Sequence, residues 1–462
     1  SSGNSFQILV DANRASMTIH KVVFTFAFLT YAGHAWRDRS LIDPLLDSLS
    51  EKKRIPAGTS ETRWKLLAKH GRDRAKGTRS AAKVMLLLLV FNSATAFRPG
   101  GLLALSSAGK LRKLGSQAAA FQQNRHGRVS PRMGMPVGQR PSKYYQEFFE
   151  QLPSMTGKTV VVTGASKGLG YVTALSLAKK GASVISLNRK SAVAEEAQTE
   201  FARVASGSAP QFVECDLLDF SSVREAARKL REIAVDGIDV LVLNAGIMLQ
   251  PDESSKDGYD ITISTNVLSH FLLTKELMPE LEKAASLRGD ARVVSMSSGS
   301  GFGPPAFDPS LFEKRGSNLG RQVQAYLGGQ ADSYGRYHQS KLANYLITSA
   351  LHEKLTARGS KVKALACHPG VCATDMFVHV VSLNSPGQPV DLTGVPSVED
   401  GALGQLKCIC DASVESGELF GPPMGGGFPE KVELGPPLIL LDDESKAKLW
   451  EACERAVGVF EL

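Results

Sequence analysis

The stretch T-V-V-V-T-G-A-S-K-G-L-G, Thr159 to Gly170, decides the fold. Its first five residues are all β-branched, which suits a strand buried on both faces. The run breaks at a glycine-punctuated turn and passes into a helical stretch, Tyr171–Lys180. A buried strand feeding a helix through such a turn opens a parallel sheet with crossover helices. Further strand-like runs recur at Ser183–Leu187, Gln211–Glu214, Val240–Asn244, Arg292–Met296 and Lys361–Ala366, each separated by a helix-length segment. The pattern predicts an α/β chain: a Rossmann-type doubly wound parallel sheet with helices on both faces.

Each glycine of the turn has a mechanical reason. Gly164 allows the tight strand-to-helix turn, Gly168 lets the backbone approach a pyrophosphate, and Gly170 lets the helix pack on the sheet. Phosphates then meet the unpaired N–H groups of a helix N-terminus. A reader of an unmodified ribose needs a carboxylate at the end of the second strand. That place holds Asn188-Arg189 instead, and Lys167 sits inside the glycine turn. Two cations suit a 2′-phosphate that a carboxylate would repel, so the expected cofactor is NADP(H).

Further along, Y-H-Q-S-K places Tyr337 and Lys341 four apart, on one face of a helix. A phenol with an ordinary pKa near 10 exchanges protons at neutral pH only with help. Lys341 is placed to stabilise the phenolate, which predicts a lowered phenol pKa. Ser297-Ser298 follows a buried strand at the sheet end where ligands bind, so a hydroxyl there can orient a substrate carbonyl.

With these pieces in this order, residues 155–460 resemble the short-chain dehydrogenase/reductase superfamily. The matching segments are T-G-A-S-K-G-L-G (163–170), Asp216 in C-D-L, L-N-A-G (243–246), Asn266 in S-T-N-V, S-M-S-S (295–298), Y-H-Q-S-K (337–341) and H-P-G-V-C-A-T (368–374). The resemblance implies that Asp216 and Leu217 hold the adenine side, while Asn244, Ala245 and Gly246 line the cofactor cleft. Ser166 and Leu169 complete the phosphate turn. Pro369, Gly370 and Thr374 contact the nicotinamide end. Asn266 anchors its helix and a water that relays the proton through Lys341. Ser298, rather than Ser297, binds the carbonyl. Tyr337 is the acid/base, and Lys341 also binds the nicotinamide ribose. Y-H-Q-S-K-L-A-N, C-H-P-G-V and K-L-W-E-A-C-E-R-A-V-G-V resemble the branch of retinol-dehydrogenase-like and WW-domain-oxidoreductase-like members, implying a lipophilic aldehyde, ketone or alcohol as substrate. Leu243 departs from the second Asn of many members.

The gap of 39 positions from Ser298 to Tyr337 is long and points to an inserted loop, Gly301–Gly335. Its Phe302, Phe307, Leu311, Phe312 and Tyr326 either present an apolar wall at the substrate mouth or belong to a surface insertion. The stretch G-P-P-M-G-G-G-F-P (421–429) reads as a loop without an assigned role.

Charge divides the chain. Residues 1–146 carry 24 Lys+Arg and 7 Asp+Glu, a net of +17, whereas 147–462 carry a net of −9. The basic excess therefore marks an appended segment rather than a nucleic-acid-binding face, and no groove-reading motif accompanies it. The apolar runs Val22–Ala32 and Val84–Phe91 fall short of a membrane span. Val84–Phe91 follows a basic approach and precedes Ala94 and Ala96, the anatomy of a signal peptide. From Phe97 to Gln146 there are nine Lys/Arg and no Asp or Glu, a transit-peptide composition. The expectation is a largely unstructured signal/transit leader over 1–146, resembling bipartite plastid leaders, and a catalytic domain over 147–462. An apolar helix with a basic linker is the plainer reading.

The six cysteines show neither C-x-x-C pairs nor zinc spacing, so buried thiols are expected and no metal. Two other functions stay open. One is a light-dependent protochlorophyllide reductase-like enzyme, against which stand L-N-A-G and Leu342-Ala343 after Lys341. The other is a catalytically idle NADPH-sensing or scaffold protein. Nothing in the sequence names the substrate or the oligomeric state.

Overall fold

A computed structural model of the protein describes residues 121–123, 129–131, 136–138, 141–302, 304, 306–315, 331–423, 426–433 and 442–462. The leader expected over 1–146 lies almost wholly outside these residues. Position 146 itself falls inside a helix, α1 (Tyr145–Gln151). The backbone N–H groups of Lys143, Tyr144 and Tyr145 all donate to the Asp400 carboxylate, which supplies the cap that α1 lacks locally.

An eight-stranded sheet organises the rest. Its strands are β1 (Thr159–Thr163), β2 (Ser183–Asn188), β3 (Gln211–Glu214), β4 (Val240–Leu243), β5 (Ala291–Met296), β6 (Val362–Cys367), β7 (Leu419–Gly421) and β8 (Glu430–Lys431). They lie in the order β3-β2-β1-β4-β5-β6-β7-β8, parallel throughout except for the β7–β8 pair. The strand order reverses between β1 and β4, and the crevice there is where such sheets bind ligands. The doubly wound sheet read from the sequence is therefore the fold.

Alternation along the strands feeds two cores. Val161, Leu241 and Val293 point to the face covered by α4 (Phe220–Ile233), α5 (Ser269–Arg288), α6 (Ala331–Ala357) and α9 (Asp443–Val457). Val160, Val162, Val240, Val242 and Val294 point to the other face, covered by α2 (Gly168–Lys179), α3 (Ala192–Val204) and α8 (Leu403–Cys410). Burying each such side chain stabilises the domain by roughly 1.5–3 kcal/mol, which explains the apolar runs Val160–Val162 in β1, Val240–Leu243 in β4 and Val293-Val294 in β5. All six cysteines are buried free thiols within this packing.

Two expectations need correcting. The helix after β1 starts at Gly168, three residues before the predicted Tyr171, because the glycine turn itself forms the first helical turn. The stretch Gly301–Gly335 is not one loop. Short 3₁₀ turns lie at Gly299–Phe302 and Pro309–Phe312, and α6 already runs from Ala331. Phe312 is buried in the α4/α5/α6/α9 core, with Phe302, Phe307 and Leu311 packed against it. These four side chains hence form no wall at the substrate mouth. Tyr326 lies outside the described residues.

Candidate active site

At the carboxyl end of the sheet, a cleft of about 1030 Å³ runs from the β2 end across the glycine turn to α7 (Asp375–Asn384). Its floor is the turn after β1. Gly164 and Gly168 sit in the left-handed region, with φ of +68° and +62°. A Cβ on Gly170 would lie 2.4 Å from both the Gly164 carbonyl oxygen and Asn244 Nδ2, so only glycine fits where α2 meets the sheet. A Cβ on Gly168, by contrast, would meet only the Thr374 methyl, at 3.9 Å, on the open side of the turn.

The start of α2 differs from its neighbours. Ser191, Asp219 and Asp442 cap α3, α4 and α9 through their side chains. Lys167 at the start of α2 makes no such bond. The first N–H groups of α2 therefore face the cleft without a side-chain acceptor, the arrangement that suits a dinucleotide pyrophosphate. Behind this turn, Thr163 Oγ1 accepts the N–H groups of Asn244 (2.9 Å) and Ala245 (3.0 Å), tying the ends of β1 and β4 together. Asn188 Oδ1 accepts from the Ser166 N–H at 3.2 Å, which gives this Asn a structural use where an acid was absent.

The cleft brings together Ser166, Lys167, Leu169, Arg189, Asp216, Leu217, Asn244, Ala245, Gly246, Ser298, Tyr337, Lys341, Pro369, Gly370 and Thr374 along with Gly164 and Gly168. Gly170 and Asn266 stand behind its wall. Asn266 is fully buried in a π-helical turn, Ser264–Leu268. Its amide accepts from the Ile247 N–H and donates to the Ile247 carbonyl and to Ser340 Oγ. Its hydrogen bonds go to Ile247 and Ser340 rather than to Lys341. Lys167 also differs from expectation: its ammonium pairs with Asp375 Oδ2 at 2.6 Å, on the opposite lip. Arg189 keeps an exposed place at the β2 end, beside Lys190, a cation that the sequence reading did not single out.

Tyr337 and Lys341 share one face of α6. The Lys341 ammonium donates to the Met296 carbonyl at 2.9 Å and lies 5.7 Å from the centre of the Tyr337 ring. Burial pulls the lysine down to about 8, so it stays largely charged at neutral pH. The expected acidic phenol is not observed. Burial pushes Tyr337 up to about 12, and hydrogen bonds with Ser298 and Ser300 offset only part of this. The two serines after β5 divide their tasks. Ser297 is buried and donates to the Lys341 carbonyl at 2.7 Å, whereas Ser298 faces Tyr337 and joins Ser300 Oγ at 2.9 Å.

The wall beyond Tyr337 is apolar. Met248, Leu249, Tyr334, Tyr337 and Val380 pack as one cluster with Met376, whose sulfur lies 3.9 Å from the Tyr337 hydroxyl. Neither Ser300 nor this wall was read from the sequence. Both come from segments without a recognisable local pattern.

Comparison with known proteins agrees with this geometry. A family model described as short chain dehydrogenase matches residues 158–309. Retinol dehydrogenase 14 of Mus musculus is 31% identical over 323 residues, covering 66% of this chain and 87% of that protein. An uncharacterized oxidoreductase of Schizosaccharomyces pombe is 38% identical over 234 residues, or 49% of this chain and 64% of that protein, just under two thirds of its length. The crystal structure of an uncharacterized protein from Mycobacterium paratuberculosis is 34% identical, with a TM-score of 0.52, and covers 68% of this chain and 98% of that one. The chain belongs to the short-chain dehydrogenase/reductase family. Within it, the chain falls in the retinol-dehydrogenase-like branch.

Proposed function

We propose that this protein is an NADP(H)-dependent oxidoreductase acting on the C=O or CH–OH group of a lipophilic aldehyde, ketone or alcohol. One observation carries the reading: the cleft brings Ser298, the buried Tyr337 phenol and the buried Lys341 together, with the lysine ammonium 5.7 Å from the centre of the phenol ring.

The residues fit a dinucleotide along the cleft. The uncapped start of α2 receives the pyrophosphate, Arg189 and Lys190 meet a 2′-phosphate, and Lys341 binds the nicotinamide ribose. When bound, the nicotinamide supplies or accepts the hydride. Ser298 donates a hydrogen bond to the substrate oxygen and fixes its distance from the phenol. A phenol pushed up to about 12 stays protonated at neutral pH, so Tyr337 is set as the proton donor of the reductive direction. The charged Lys341 then stabilises the phenolate left behind. Met248, Met376, Phe377 and Val380 exclude water from the transfer and accept an apolar chain. The similarity to the mouse retinol dehydrogenase 14 supports the same substrate class.

The test is turnover of nonanal, retinaldehyde and a short-chain quinone by the full chain, followed as NADPH absorbance, with NADH in parallel. Reduction of an apolar aldehyde with NADPH preferred supports the reading; no oxidation of either cofactor with any probe refutes it. We further propose that residues 1–146 deliver the domain to a plastid. Imaging a fluorescent fusion of the chain tests this, and signal confined to the cytosol would contradict it.

A further inference from the structure

Arg336 precedes Tyr337 on α6, yet the reaction derived above gives it no task. It is 3% exposed, and such burial of a guanidinium is costly unless every arm is matched. Its Nη1 donates to Asp252 Oδ1 at 2.6 Å, its Nε stands 3.2 Å from Asp260 Oδ2, and its Nη2 reaches Ser333 Oγ at 3.5 Å.

These partners belong to different parts of the site. Asp252 ends the segment Ile247–Asp252, whose Ile247, Met248 and Gln250 line the cleft and whose Met248 and Leu249 pack in the apolar cluster beside Tyr337. Asp260 caps the turn Ile261–Ile263 by accepting from the N–H groups of Thr262 and Ile263, and that turn runs directly into the π turn holding Asn266. Ser333 lies on α6 itself and donates to the Gln250 carbonyl at 2.8 Å. Asp260 Oδ2 makes no hydrogen bond, so the guanidinium charge is what compensates it.

The wall segment needs such a grip. Leu249 has φ of +52°, the one non-glycine residue in the left-handed region among the described residues. For a Leu this conformation costs on the order of 1 kcal/mol and persists only where the surroundings over-determine it. The Leu249 side chain is buried against Tyr334, Tyr337 and Val380. A relaxed Leu249 would therefore alter the packing beside the phenol.

We propose that Arg336 is a positioning residue, which locks the strained wall Ile247–Asp252 against Tyr337 by gripping Asp252 and Asp260 together. The kinetic part of this proposal rests on the oxidoreductase reading; the structural part does not.

The experiment uses the full chain and the variants Arg336→Lys, Asp252→Asn and their combination. Lysine keeps a charge opposite Asp260 but cannot fork, and asparagine keeps the shape of Asp252, so each variant is built to stay folded. Amide hydrogen exchange over 247–252, NADPH affinity by fluorescence, and kcat and KM with NADPH and nonanal are measured. Exchange about tenfold faster, kcat about tenfold lower and an NADPH Kd within about twofold of wild type are expected, with the double variant no worse than either single. Unchanged exchange overturns the proposal. So does unchanged kcat, or a kcat loss that merely follows lost cofactor affinity or folded fraction. Faster exchange in the variants of a protein whose wild type reduces no probe supports the clamp while refuting the enzyme reading.

Discussion

Lys167 and Asp375, 208 positions apart, join the two lips of the cleft through a 2.6 Å ion pair. One stands in the glycine turn and the other in the first turn of α7. With side chains 65% and 61% exposed, the pair contributes at most about 1 kcal/mol, so a phosphate can draw Lys167 away from it. Asp375→Asn is expected to lower the NADPH Kd by about two- to fivefold, measured by fluorescence titration. An unchanged Kd would mean that Lys167 does not serve the cofactor.

Arg189 and Lys190 stand at the far end of the cleft, without ion-pair partners among the described residues. A charge-assisted bond to a phosphate contributes about 1.5–3 kcal/mol. Arg189→Ala should therefore raise the NADPH Kd by about tenfold or more and leave the NADH Kd within about twofold. Equal losses for both cofactors would remove the basis for an NADP(H) preference.

Lys341 makes a stability prediction whose sign is fixed. Its folded value, about 8, lies below the ordinary 10.5, so below pH 8 both states hold the proton and the burial cost is fully present. Stability rises between those values as the folded state sheds its proton first. Lys341→Met removes the buried cation, and Asn344 Nδ2 still donates to the Met296 carbonyl at 3.1 Å. The variant should melt a few degrees higher at neutral pH, a gain on the order of 2 kcal/mol, while losing turnover. The wild-type reductive rate should decline as the pH passes about 8. A lower melting temperature for the variant would show that the ammonium stabilises the fold.

Two glycines are expected to answer in opposite directions. Gly170→Ala drives a Cβ to within 2.4 Å of the Gly164 backbone, costing about 1–3 kcal/mol and weakening NADPH binding. Gly335, exposed in α6 with nothing within 4 Å of its Cβ position, should gain about 0.5–1 kcal/mol as alanine. Thermal melts of both variants check the pair.

The sheet was legible wherever burial on both faces leaves a continuous apolar run, as in T-V-V-V-T and V-L-V-L. Strands β7 and β8 escaped notice because three and two residues carry no periodicity. The motif residues Ser298, Tyr337 and Lys341 could be brought together from sequence because each sits at a fixed place on a strand end or helix face. The direction of the phenol shift could not. Spacing reveals the nearby ammonium but not the burial that raises the phenol. Residues from unpatterned segments, such as Ser300, Met376 and Arg336, take their roles only from the tertiary fold. D-M-F-V-H-V-V-S-L-N, which forms α7, is apolar on too many sides to announce which of them faces the cleft.

The most direct test of the account is Tyr337→Phe, assayed with NADPH and the aldehyde that the wild type reduces best. The ring keeps its packing against Leu249 and Val380, so NADPH affinity and melting temperature should hold. Without the phenolic proton, kcat should fall by at least about a hundredfold. A phenylalanine variant that turns over within a few-fold of wild type would contradict the assignment of Tyr337 as the proton donor, and the proposed reaction with it.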